Sequence, residues 1–339
     1  MVTVASPVIP RGRFQILALD GGGVRGIFSA ALLAGLERDL GRPVVSCFDL
    51  VVGTSTGGII ATALGVDVSA DAIVDLYTSK MTEIFPGPHR LREIRRLVRP
   101  KYRAAGLEGV LRGVFGDQLL CESRVPLVIP AFDLGESTVH LFKTPHHERL
   151  RRDWKAPIWQ VAMATSAAPT YFPAFCLPGD GVRLVDGGVW ANNPAMVGVT
   201  EAVSMFGQPL DTIRVLSIGT TSDTRIRPRG LDRGGLVQWF RSPKVTDVLL
   251  RGQSIGAFTQ VLHLLGPDRA YRLDPPAPSG LAHLDRADAR DLKAKAAHHS
   301  RMFCPTFEAM FADHTPFPYR PLHGPNAESA ACTPIATTS

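Results

Sequence analysis

A serine framed by glycines two residues to either side, Gly53-Thr54-Ser55-Thr56-Gly57, stands between an apolar run and a stretch of small residues. The run before it, FDLVVG from Phe48 to Gly53, reads as a buried strand, and IIATALG after it as a helix. A G-x-S-x-G sequence at such a junction turns the chain sharply and exposes the serine hydroxyl, and small flanking residues keep the turn free of clashes. The helix that follows directs N–H groups and a positive dipole end at developing negative charge. Ser55 is therefore the candidate nucleophile, with Gly53 and Gly57 forming its elbow. Standing alone, the motif would more often be an ordinary Gly/Ser/Thr turn; the strand and helix around it favour the chemistry.

A similar junction lies upstream. FQILALD (Phe14 to Asp20) reads as a buried strand, followed by Gly21-Gly22-Gly23-Val24-Arg25-Gly26. Apolar residues at Ile27, Phe28, Ala31, Leu32 and Leu36 then follow helical spacing, and Gly41 suits a C-terminal cap. Strand, helix, strand, helix implies a βαβ unit and an α/β fold with a largely parallel sheet. Further strands are expected at Val125 to Phe132, Val139 to Lys143, Val182 to Val185 and Ile213 to Ile218, and a helix near Asn193. The glycine segment has two open readings. As G-x-G-x-x-G it would cradle a nucleotide phosphate. As a helix-mouth loop, Gly21, Gly22 and Gly23 would offer N–H groups to an oxyanion, with Arg25 adding charge or a structural salt bridge.

A nucleophilic serine needs a base. Asp186, ending the strand VRLVDGG and followed by Gly187 and Gly188, is the candidate acid, since those glycines permit close approach. The ten histidines include none in a comparable glycine-framed strand end; His263 and His283 fit a Ser-His-Asp order by position only. A Ser-Asp dyad is thus preferred to a triad.

DGGGVRG (20–26), GTSTGG (53–58), ATSAAPTYFPAF (164–175) and DGG (186–188) with its following ANNP, in this order, resemble the patatin-like phospholipases. The likeness covers roughly residues 14–200 and weakens to about 300. It implies a three-layer α/β/α fold with a mostly parallel central sheet, in one domain over 14–310. It also implies that Ser55 is the nucleophile, Asp186 its base and Gly21, Gly22, Gly23 and Arg25 the oxyanion segment. The implied activity is hydrolysis of acyl esters in membrane glycerophospholipids, with no catalytic calcium or other cofactor. The same segments resemble bacterial patatin-like proteins in particular. Some of those are effectors of cyclic-oligonucleotide antiphage (CBASS) systems, so a cyclic dinucleotide activator is a further expectation. The Arg-bearing segments 223–233 and 241–251 are its candidate contacts, against a plain reading as solvated loop charge. A Ser-His-Asp esterase, a nucleotide-binding protein using 21–26 and a binding protein without turnover remain alternatives.

Composition narrows the setting. With 45% hydrophobic and 20% charged residues the chain is too apolar to be mainly disordered. A net charge of +6 does not mark a nucleic-acid-binding protein. Arg90 to Arg103 carries seven Lys and Arg against Glu93, an excess equal to that of the whole chain. With Leu91, Ile94 and Val98 on one helical face, it is the expected membrane-surface contact, weighed against a solvated helix packed on its own domain. Five widely spaced cysteines without C-x-x-C suit a reducing compartment. No secretory apolar segment opens the chain, so a cytoplasmic protein, peripheral at the inner membrane when active, is expected. Residues 316–339, rich in Pro, Ala, Ser and Thr, are expected to form a flexible tail.

Overall fold

A computed structural model describes residues 12–85, 100–179, 181–221, 244–276, 288–325 and 327. An eight-stranded sheet organises them. Strand β1 (Phe14–Leu19) lies at its middle and pairs in parallel with β2 (Leu50–Gly53) and β7 (Ile213–Ile218). Outward from these, β8 (Ala270–Leu273) joins β7, and β3 (Leu127–Asp133) joins β2, again in parallel. The remaining strands, β4 (Thr138–Lys143), β5 (Phe175–Cys176) and β6 (Arg183–Asp186), add antiparallel pairs around β3. The short β5 and β8 had no sequence signal.

Helices cover both faces, making three layers. Because successive strand residues point to opposite faces, β1 divides its side chains between two cores. Leu17 and Leu19 face one core with Ile27, Phe28 and Leu32 of α1 (Gly26–Leu40) and Ile60 of α2 (Thr56–Gly65). The same core receives Tyr77 of α3 (Ala70–Ile84), Leu111 of α4 (Ala104–Phe115) and Val161 of α5 (Ile158–Thr165). Phe14, Ile16 and Ala18 face the other core, beneath Val199 and Val261. The helices there are α7 (Ala195–Ser204) and α8 (Lys244–Leu265); the one-turn α6 (Gly188–Ala191) precedes α7. A last long helix, α9 (Ala289–Phe307), packs on α1.

One detail of strand order sets the site. β4 occupies one edge of β3 along Val128–Asp133. The opposite edge is shared by two strands running towards each other. β2 pairs there through Val51 and Val52, against Leu127 and Val128. β6 pairs further along, Asp186 standing opposite Ala131. The carboxyl ends of β2 and β6 therefore meet over Ile129 and Pro130.

The segment after 315, expected as a flexible tail, is docked as far as it is described. Phe317 N–H donates to Asp49 at 2.9 Å and Leu322 N–H to the Pro145 carbonyl at 2.8 Å. His314 caps the same Asp49 carboxylate at 2.7 Å. Residue 326 and residues 328–339 lie outside the described residues, as do 86–99 of the basic segment, 223–233 and 241–243. No helix among the described residues is long and apolar enough to cross a membrane.

Candidate active site

The elbow forms where β2 passes into α2. Ser55 sits at φ 54° and ψ −124°, a region sparsely populated by residues with a side chain. Gly53 and Gly57 make the turn possible. A Cβ on Gly53 would stand 2.2 Å from the Gly57 carbonyl oxygen, and one on Gly57 would stand 2.2 Å from that of Leu19.

Ser55 Oγ donates to Asp186 Oδ2 at 2.6 Å, although 131 positions separate the two residues. The other carboxylate oxygen, Oδ1, accepts from Gly188 N–H at 2.7 Å. Both side chains are buried, Asp186 at 5% and Ser55 at 9% exposure. Burial raises the Asp186 carboxyl from 3.8 to about 6, against the opposing pull of the Ser55 and Gly188 hydrogen bonds. A carboxylate so displaced is a better base at neutral pH than an exposed one.

Threonines tie the elbow down. Thr54 Oγ1 donates to the Ala191 carbonyl at 2.6 Å, on the Asp186 side. Thr56 Oγ1 donates to the Gly23 carbonyl at 2.6 Å, joining the elbow to the glycine loop. Thr165 Oγ1 accepts from Ser55 N–H at 2.9 Å.

The glycine loop lies beside the serine, as expected, but its members have unequal tasks. Gly21 N–H is committed to the Asn192 carbonyl at 3.0 Å, so it is no donor to a substrate. Arg25 turns inward on the loop: Nε donates to the Gly22 carbonyl at 3.3 Å and Nη1 to the Thr221 carbonyl at 3.0 Å. These two bonds brace the loop. Gly22 and Gly23 line the cavity in front of Ser55, and their N–H groups have no acceptor among the described residues. Beneath the loop Arg272 holds Asp20 through two bonds, of 3.2 and 2.7 Å. Through the Gly23 carbonyl this loop is tied to the serine elbow, which favours the oxyanion reading over the phosphate-loop one.

The cavity measures about 560 Å³. Ser55, Asp186, Gly22 and Gly23 form its polar end, and Ile59, Tyr77, Phe85, Leu107, Phe172 and Leu250 its apolar walls. Its apolar lining suits a long acyl chain with the ester at the serine. Ser166 also lines it, and Ser166 Oγ has no partner among the described residues. No histidine lines the cavity among the described residues. His263 is exposed on α8, with Nδ1 on the Thr259 carbonyl, and His283 lies outside the described residues. Sequence reasoning also missed Asn192 and Gln253. Asn192 Nδ2 donates to Ser254 Oγ at 2.9 Å, and Asn192 N–H to Gln253 Oε1 at 2.6 Å, fastening α8 to the Asp186 side. Asn192 carried a signal in the ANNP block; Gln253 carried none.

Three comparisons set this chain beside known proteins. A family model described as patatin-like phospholipase matches residues 17–199. A protein of Pseudomonas aeruginosa (strain BWHPSA011 / Pa011) named cGAMP-activated phospholipase is 32% identical over 336 residues, covering 94% of this chain and 98% of that protein. Another of that name, from Vibrio cholerae serotype O1, is 33% identical over 234 residues, 63% of this chain and 66% of that protein. Among solved structures, VipD from Legionella pneumophila aligns with a TM-score of 0.41 and 12% identity, over 86% of this chain and 68% of that one.

Proposed function

The chain belongs to the patatin-like phospholipase family, and from that premise we propose that it cleaves membrane glycerophospholipids by a Ser55–Asp186 dyad under the control of a cyclic dinucleotide. The observation that carries the dyad is the 2.6 Å bond between Ser55 Oγ and Asp186 Oδ2 at the polar end of an apolar cavity.

In this reading Asp186 accepts the Ser55 proton as Oγ attacks the acyl carbonyl carbon. The N–H groups of Gly22 and Gly23 receive the oxyanion; one such donor is worth about 3 kcal/mol in the transition state. The tetrahedral intermediate collapses, the proton passes to the leaving alkoxide, and a lysophospholipid departs. Asp186 then takes a proton from water, which attacks the acyl-enzyme, and passes it to Ser55 Oγ as the fatty acid leaves. Base and oxyanion donors both come from the chain, so the reaction is read as independent of calcium, and a chelator is expected to leave the rate unchanged.

The names of the relatives, one of them similar across 94% of this chain, support cyclic GMP-AMP as the activator. The free cysteines suit a cytoplasmic protein that meets the inner membrane only when switched on. The basic segment at 90–103 remains the proposed contact with anionic lipid.

The test is fatty-acid release from mixed phospholipid vesicles by wild type, Ser55→Ala and Asp186→Ala, each with and without a panel of cyclic nucleotides. Release by wild type alone, increased by cyclic GMP-AMP, is expected. Undiminished release by Ser55→Ala refutes the dyad, and indifference to every cyclic nucleotide refutes the switch.

A further inference from the structure

On the edge of β3 shared by β2 and β6, Pro130 lies between the two strand ends, with neither Val52 nor Asp186 opposite it. Its carbonyl is buried and still needs a donor. Thr165, the last residue of α5, supplies it: Oγ1 donates to the Pro130 carbonyl oxygen at 2.6 Å. Thr165 Oγ1 in turn accepts from Ser55 N–H at 2.9 Å. A threonine hydroxyl has one hydrogen to give and two lone pairs, so both bonds form at once and fix its orientation. The side chain is fully buried, and its methyl abuts Gly58, where a Cβ would stand 2.7 Å away. Two residues on, the Ala167 carbonyl accepts from Asp186 N–H at 3.1 Å. One short segment thus grips the backbone of both reacting residues.

We propose that Thr165 is the positioning residue for the nucleophile: its hydroxyl, bonded to Ser55 N–H and to the Pro130 carbonyl, holds the serine in its strained conformation and within reach of Asp186. The inference rests on the reading of Ser55 as nucleophile. Without the hydroxyl, the Ser55 amide and the Pro130 carbonyl lose a common partner and the elbow is free to relax. Ser55 Oγ then leaves Asp186, and the carboxyl loses one of the two bonds that restrain its upward shift.

Thr165→Val, which keeps the shape, and Thr165→Ser, which keeps the hydroxyl, test this against wild type. The assays are hydrolysis of a soluble p-nitrophenyl ester across pH and the rate of labelling by a fluorophosphonate. Thr165→Val is expected to lower kcat by about 10²-fold, the scale of an ångström's misplacement. KM stays within about twofold, and the acid limb of the pH profile moves to higher pH. Thr165→Ser is expected to restore both kcat and the limb. A folded Thr165→Val with wild-type kcat and an unmoved acid limb overturns the proposal, as does a Thr165→Ser impaired equally. Should Thr165→Val not fold, Thr165→Ala is read in the same way on its folded fraction by labelling rate. Undiminished turnover by Ser55→Ala would instead sink the nucleophile assignment, a separate failure.

Discussion

Asp186 sets catalysis against stability, and Asp186→Asn separates the two. The buried carboxyl rises from 3.8 to about 6 chiefly through desolvation. A displacement of that size means the native state disfavours the ionised form by about 3 kcal/mol. Across the window between those values the native protein holds the proton more tightly than the unfolded chain does. This group's contribution to stability is therefore complete at acid pH and falls as pH rises through about 6. Asparagine has no charge to bury, its carbonyl can still accept from Gly188 N–H, and its amide can still meet Ser55 Oγ. The variant is expected to exceed wild type in stability by about 1 kcal/mol at pH 4.5 and about 3 kcal/mol at pH 8, while losing hydrolysis. Urea unfolding followed by tryptophan fluorescence at several pH values measures the difference, in which the other titrating groups cancel. A gap that does not change with pH, or that narrows towards pH 8, refutes the reasoning. In the same frame, wild-type kcat/KM should lose activity below about pH 6, where the base becomes protonated.

Other consequences are sharper locally. Gly22→Ala places a Cβ 1.9 Å from Thr220 Oγ1 and 2.5 Å from Thr220 Cβ, so the loop must move; fluorophosphonate labelling of Ser55 should slow by about 10²-fold, and Thr220→Gly, but not Thr220→Ala, should restore part of it. Asp49→Ala removes the acceptor shared by Gln15 N–H, His314 and Phe317 N–H. It should cost about 3–5 kcal/mol in urea unfolding and speed chymotryptic cleavage after Tyr319. Replacing Arg92, Arg95, Arg96 and Arg99 by Gln should weaken binding to anionic vesicles in a flotation assay while leaving soluble-ester hydrolysis intact.

The residues that sequence made legible are those whose backbone demands a particular residue type. Ser55 between two glycines and Asp186 before two more are dictated by turns that tolerate few alternatives, and each stands where a strand ends. β1, β2 and β7 were legible as short, mostly apolar runs because both their faces are covered. What stayed hidden depended on the partner rather than the residue. Thr54, Thr56 and Thr165 are ordinary threonines until the fold sets carbonyls and an amide beside them. Arg25 could equally have reached solvent, a carboxylate or a substrate; the Gly22 and Thr221 carbonyls captured it. The segment after 315 has the composition of a loose end, yet Asp49 and Pro145 give its amides acceptors.

The head-on meeting of β2 and β6 turns β3 into a measuring rod. Val52 is registered on Val128 and Asp186 on Ala131, so three steps of one strand, about 10 Å, fix the offset between the two strand ends that carry nucleophile and base. No rotamer can adjust that length. Loss or gain of a single residue within the interval would shift the offset by one rise and turn one half of the machinery to the opposite side of the sheet. Sequence drift in this enzyme can therefore remodel the walls that receive the lipid, while the spacing along this strand is permitted no intermediate values.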